Sequence, residues 1–221
     1  SGHMTGPDGK DYPTNENYAW PHYMQTATGN EWINCGVSGA NVLTWQENEN
    51  GLAKAQESGK VQAYVIGLML NDSNSSSNKY VTIGVPADIG TDAQTYFGGL
   101  SAIIRKLNEI SPTAKIFVLT CPRNTEAVKP YNEAVRTIVE TYKNTYPVHC
   151  LDLHENIESY QNDSLVNDSL NGHYTAVGYE QFAEILMEIM SNYINNNVKQ
   201  FQNVAFIECD TPFVNGNTIK L

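Results

Sequence analysis

The stretch Asn34-Cys35-Gly36-Val37-Ser38-Gly39-Ala40-Asn41 decides how the rest of this 221-residue chain is read. It follows the short apolar run Trp32–Gly36 and opens a helical pattern, Asn41–Ser58, that stops near Gly59. A Gly-rich turn between strand and helix can offer backbone N–H groups to an anion, because the donors of a helix's first turn lack intrahelical partners. Gly39 would let a substrate come close to the backbone. The stretch lacks the Gly-Lys-Ser/Thr ending of a Walker loop, and it lacks the spacing of a dinucleotide fingerprint. Taken alone, it reads first as a plain tight turn.

Outward from it, short β-rich runs alternate with longer helical patterns. Strands are predicted at Trp32–Gly36, Ala63–Leu68, Lys115–Thr120, Val148–Leu153 and Val204–Glu208. Each carries apolar or β-branched residues on consecutive positions, as strands buried on both faces do. Besides Asn41–Ser58, helices are predicted at Asp92–Glu109 (Leu100, Ile103, Ile104, Leu107), Thr125–Lys143 and Thr175–Tyr193. Pro130 marks the true first turn of the third. The fourth sets Phe182, Ile185, Leu186, Ile189 and Met190 on one stripe. The polar patches Asp72–Asn78 and Asn195–Asn197 read as loops. The alternation predicts an α/β fold, a three-layer α/β/α sandwich around a parallel sheet of about five strands. In such sheets the chemistry sits in loops beyond the carboxyl ends of the strands.

Composition narrows the classes. With 41% hydrophobic and 17% charged residues the chain is globular. Its 13 basic and 24 acidic residues leave a formal charge of −11, which weighs against nucleic acid as a partner. No apolar run approaches the roughly 20 residues that span a bilayer. Ser1-Gly2-His3-Met4 reads as an expression-vector scar (residues 1–4), followed by one domain over 5–200 and a C-terminal strand and tail, 201–221, packing on it. Cys35, Cys121, Cys150 and Cys209 form no C-x-x-C pair and read as buried thiols. No metal-ligand spacing occurs, so neither metal nor cofactor is expected. The compartment stays open, with a secreted, periplasmic or virion-associated address preferred to a cytoplasmic one.

Two other loops lie at predicted strand or helix ends. Asn71 closes the second strand, where its amide could aim N–H groups at a developing oxyanion; Asn and Asp are also routine loop starters. His173, in Asn171–Tyr179, sits on a loop before the clearest helix, a position that suits a general base. His22, His149 and His154 read as structural, and His3 belongs to the scar.

These three loops, in this order and at these separations, resemble the SGNH hydrolase (GDSL-like esterase/lipase) superfamily. Asn34–Thr44 looks like its second block, with Gly39 matching the oxyanion-hole glycine, and Gly67–Asp72 like its third, with Asn71 matching the oxyanion-hole asparagine. Gly172–Tyr179 looks like the fifth, with His173 matching the catalytic histidine, and Lys115–Pro122 like the strand and turn between them. The resemblance runs from about Tyr18 to Tyr193 and implies a flavodoxin-like α/β/α domain that hydrolyses esters through a serine. In that scheme His173 takes the serine proton and later protonates the leaving alkoxide. The serine N–H, the Gly39 N–H and the Asn71 side chain hold the oxyanion, each donor contributing on the order of 3–4 kcal/mol. The partner implied is a small ester or an acetylated glycan.

The chain departs from the family in three places. The first block, a strand ending in Gly-Asp-Ser, should precede Tyr18-Ala19-Trp20-Pro21, yet residues 5–17 contain neither an apolar strand nor a serine. An unfilled slot in the sheet would leave backbone groups unpaired. Val204–Ile207 fills it in a permuted arrangement, with Cys209 or Thr211 near the nucleophile turn, or it extends the sheet edge while the first strand lies upstream or on another chain. Strand exchange or a homo-oligomer is therefore considered. Ser38 is a third nucleophile candidate. Secondly, Leu170 stands where the family places Asp, so Asp168, with Asp163 nearby, is assigned to orient His173. Thirdly, Met69 replaces a glycine of the third block, narrowing the pocket floor or shifting the loop. Two functions are consistent with this pattern: an ester hydrolase, including carbohydrate O-acetyl esters, or a catalytically inactive SGNH-like module for glycan binding or assembly.

Overall fold

The computed structural model describes residues 3–5, 9–13, 16–123, 125–155, 169–170, 173–201, 208–209 and 219–220. The chain divides into two compact units, Cys35–Ile157, and Ser1–Asn34 together with Glu158–Leu221.

At the N-terminus, β1 (His3–Thr5) pairs antiparallel with β2 (Asp11–Pro13). Helix α1 (Trp20–Thr28) comes next, in a region where no helix is predicted. Ala19 makes no side-chain cap, so the usual start signal is missing. Two other signals stand in the sequence. Pro21 occupies the first turn, where a missing N–H matters least, and Gly29 ends the helix in the left-handed region (φ 68°).

The predicted strand at 32–36 does not form: residues 31–37 have no regular structure and alternate between exposed and half-buried positions, with Ile33 39% exposed. Nor is there one helix over 41–58. Two single turns, α2 (Thr44–Glu47) and α3 (Lys54–Glu57), flank a π-turn at Glu49–Ala53. The Asn48 side chain accepts from Asn50 N at 2.9 Å while its own backbone is extended, a local bond that competes with helix. Gly51 is non-helical, and a Cβ there would stand 2.3 Å from Trp45 O.

Three predicted strands then build one parallel sheet in the order β3 (Ala63–Ile66), β4 (Lys115–Leu119), β5 (Val148–Leu151), with Val65 opposite Phe117 and Val118 opposite Cys150. Central β4 buries Ile116, Phe117, Val118 and Leu119, whereas Ala63 of β3 is exposed. The crossover helices are α4 (Tyr96–Ile110) and α5 (Lys129–Tyr142). Helix α4 starts later than predicted because Thr95 caps it, accepting from Gly98 N at 3.2 Å. Pro130 lies in the first turn of α5, as expected. The predicted stripe Leu100, Ile103, Ile104 and Leu107 on α4 is buried in the core, together with Tyr131, Val135, Ile138 and Val139 on α5.

In the other unit β6 (Ser169–Leu170) pairs antiparallel with β7 (His173–Tyr174), and Thr175 caps α6 (Ala176–Asn196). The helix continues through Asn195 and Asn196, where a loop is predicted. Its buried face is Phe182, Ala183, Leu186, Met187, Met190 and Ile194, with Ile185 and Ile189 only half-buried. Trp20 of α1 meets Phe182 edge-on at 6.1 Å. Of the predicted strand 204–208 only Glu208 is described; it belongs to β8 (Glu208–Cys209), which pairs antiparallel with β9 (Ile219–Lys220). Residues 204–207 lie outside the described residues.

Candidate active site

Gly39 takes φ 70°, the left-handed conformation in which a side chain is strained, and Ala40 N closes the turn on Val37 O at 3.2 Å. Asn41 then organises the next turn. Its Oδ1 accepts from Leu43 N (3.0 Å) and Thr44 N (2.8 Å), and its own N–H donates to Thr44 Oγ1 (3.1 Å). Val42 N donates to Asp72 Oδ1 at 2.9 Å. Every backbone N–H from Ala40 to Thr44 is thus taken, and the helix-terminus donors expected from the sequence are spent inside the protein. Among the described residues no hydrogen bond takes the Gly39 N–H. On the side-chain side of the same residue a Cβ would meet nothing nearer than Lys79 Cε, at 3.8 Å.

Asn71 reaches the same loop. Its Nδ2 donates one hydrogen to Ala40 O at 2.7 Å, leaving the second amide hydrogen for another acceptor. Met69 does not displace this contact; it is buried in the core and its carbonyl accepts from Ser73 N at 2.9 Å. Within the unit Cys35–Ile157, then, Gly39 and Asn71 come together beyond the carboxyl end of β3.

His173 and Leu170, three residues before it, face each other across the β6–β7 ladder, so His173 sits in a short strand rather than in a loop. The helix it precedes begins with Gly178 N donating to Thr175 Oγ1 at 3.2 Å. Asp168 and Asp163 lie outside the described residues, as does Thr211. Cys209 belongs to β8, and Ser38 is exposed in the turn beside Gly39.

The remaining candidates sort by burial. Burial holds the His149 imidazole down at about 4, assisted by Lys115, and its ring leans on Phe117 at 5.5 Å, a structural histidine. Cys35, Cys121 and Cys150 are in no disulfide. Burial raises the Cys121 thiol and pushes Cys150 up to about 12, far from the thiolate a nucleophile needs.

Asp72 stands inside a patch whose composition reads as solvated loop, and sequence reasoning gives it no role. It is fully buried, and burial, opposed by the bond from Val42, pushes its carboxyl up to about 7. The one signal for it in the sequence is its position directly after Asn71 at the end of a buried strand.

A family model for the GDSL-like Lipase/Acylhydrolase family matches residues 4–181. A proposed GDSL-like lipase from Bacteroides ovatus superposes with a TM-score of 0.60 at 19% identity, covering 81% of each chain. A second, from Bacteroides uniformis, gives 0.59 at 16% identity over 86% of this chain and 84% of that one. A proposed lipase from Chitinophaga pinensis gives 0.55 at 14% identity over 82% and 91%. No curated protein matches the chain.

Proposed function

Since the chain belongs to the GDSL-like lipase/acylhydrolase family and carries its α/β SGNH fold, we propose that it hydrolyses carboxylic esters, O-acetylated carbohydrates among them. The observation that carries this reading is the unspent Gly39 N–H beside an Asn71 amide that is anchored to Ala40 O with one hydrogen to spare. Two such donors suit the oxygen of a tetrahedral intermediate.

In the proposed reaction His173 removes the proton of the attacking hydroxyl as its oxygen bonds to the ester carbon. The carbonyl electron pair moves onto oxygen, between Gly39 and Asn71. Collapse breaks the bond to the leaving alkoxide, which takes the proton from His173, and water repeats the sequence on the acyl intermediate. Asp168 is proposed to orient His173. The nucleophile is not recognisable in this chain; Ser38, Cys209 and Thr211 are the candidates within it.

Turnover of p-nitrophenyl acetate tests this, for the chain as it stands and for a form extended upstream. Asn71→Ala should lower kcat by about 100- to 1,000-fold with little change in KM. His173→Ala should cost about 100- to 10,000-fold. Turnover that survives both changes would sink the assignment. The absence of a serine from residues 5–17 favours one other reading, an inactive glycan-binding module. It predicts no hydrolysis by either form together with measurable binding of an acetylated oligosaccharide.

A further inference from the structure

Asp72 is the one fully buried carboxylate among the described residues, and its Oδ2 is enclosed with no hydrogen-bond partner. Such an oxygen is costly to bury, and an orphan of this kind calls for a reason. The reason lies in what the other oxygen does. Asn71 and Asp72, neighbours in sequence, both reach across to the Gly39 loop, one donating to Ala40 O at 2.7 Å, the other accepting from Val42 N at 2.9 Å. The two bonds have opposite polarity and fall on either side of Asn41, so the loop can neither slide nor rotate without breaking one of them. On its far side the backbone carbonyl of Asp72 accepts from Val81 N (3.1 Å) and from the Tyr131 hydroxyl of α5 (3.1 Å), which also reaches Val81 O (2.5 Å). The Tyr96 hydroxyl of α4 holds Leu68 O, just before this turn, at 2.8 Å.

We propose that Asp72 is the positioning residue of the oxyanion hole: through Val42 it fixes the Gly39 loop against the Asn71 amide so that both donors point at one place. The proposal rests on the reading of Gly39 and Asn71 given above. A neutral side chain would also accept from Val42, but an ionised acceptor makes a bond about twice as strong. The carboxyl changes charge near pH 7. The titratable groups that feel its charge, Tyr96 on α4 and Tyr131 on α5, are raised first by burial and further by the Asp72 carboxylate, so both stay neutral there. The clasp is therefore tightest above neutrality, although the whole fold loses free energy when a buried carboxyl ionises.

The test follows the Val42 backbone amide and the Asn71 side-chain amide by ¹⁵N NMR from pH 5 to 9, in the native chain, Asp72→Asn and Asp72→Ala. In the native chain both signals should move with one midpoint at about 7. Asp72→Asn should abolish that midpoint and keep the Val42 amide protected; Asp72→Ala should speed its exchange by about tenfold or more. On p-nitrophenyl acetate Asp72→Ala should lower kcat by about 10- to 100-fold at unchanged KM, as a misplacement of about 1 Å does. Asp72→Asn should restore most of that and flatten the pH profile near neutrality. Unaltered Val42 exchange and Asn71 shifts in a folded Asp72→Ala protein overturn the proposal. Should that variant not fold, the absence of a shared midpoint in the native chain overturns it equally. A native protein without esterase turnover removes the esterase reading alone, and the NMR arm still decides the role of Asp72.

Discussion

Arg136 grips Asp152 with two N–H groups, Nε to Oδ2 at 2.6 Å and Nη2 to Oδ1 at 3.0 Å, and the Thr120 hydroxyl donates to the same Oδ1 at 2.9 Å. Thr120 Oγ1 in turn accepts from His154 N at 3.0 Å, so the Asp152 carboxylate, beyond β5, is joined both to the end of β4 through Thr120 and to α5 through Arg136. Burial alone would raise the Asp152 carboxyl. The bonds from Arg136 and Thr120 outweigh it and hold the group below the ordinary carboxylate value. A depressed folded value means stability that is present above about pH 4 and lost as pH falls through that value. Both side chains are about a quarter exposed, so solvent screens the pair and Asp152→Asn should cost only about 1–2 kcal/mol at pH 7. Urea titrations should show that deficit shrinking as pH falls below the ordinary carboxylate range; a deficit that does not change with pH refutes the ion-pair account. Nothing in the sequence pairs these residues: Asp152 falls within the predicted strand Val148–Leu153 and Arg136 within the predicted helix Thr125–Lys143, and no local pattern links the two.

At the scale of elements, α4 carries two adjacent glycines in its first turn, which helix propensity disfavours by about 1 kcal/mol each. Packing explains the second. A Cβ on Gly99 would stand 2.7 Å from Val42 Cγ2 and 3.0 Å from Leu43 Cδ2, so its absence lets the Gly39 loop lie against α4. Gly99→Ala should therefore lower stability by about 1–3 kcal/mol despite the better propensity, displace the Val42 amide resonance and reduce ester turnover. A rise in Tm would show that the loop has room to move. Elements are legible where the pattern is long and regular: α4, α5, α6 and the three parallel strands stand close to their predicted ranges. They are illegible where short-range bonds or missing caps decide, as at Asn48 and Gly51 inside the expected helix 41–58, and at Ala19 before α1.

Across the whole molecule, two buried groups give the stability curve opposite slopes. Asp72, raised from its ordinary 3.8 to about 7, keeps its proton where the unfolded chain has lost it. Its contribution is full below about pH 4 and declines as pH rises towards 7. His149, lowered from 6.5 to about 4, refuses a proton that the unfolded chain accepts. Its contribution is full above about pH 6.5 and is lost as pH falls through 4. They are on the order of 4 and 3 kcal/mol, so the native chain should vary little between about pH 4.5 and 6.5. Removing one group unmasks the other: stability should rise with pH across that window in Asp72→Asn and fall in His149→Phe, as read by urea unfolding at several pH values. Equal slopes in all three proteins refute the opposition. Acidity, the order of the three parallel strands with α4, α5 and α6, and the identities of Gly39, Asn71 and His173 as candidates were determined by the sequence alone, because periodicity and short motifs are local. Which N–H groups remain unspent was decided only by the tertiary structure. Val42 meets Asp72 across 30 positions of chain, and no local pattern records a bond between residues that only folding brings together.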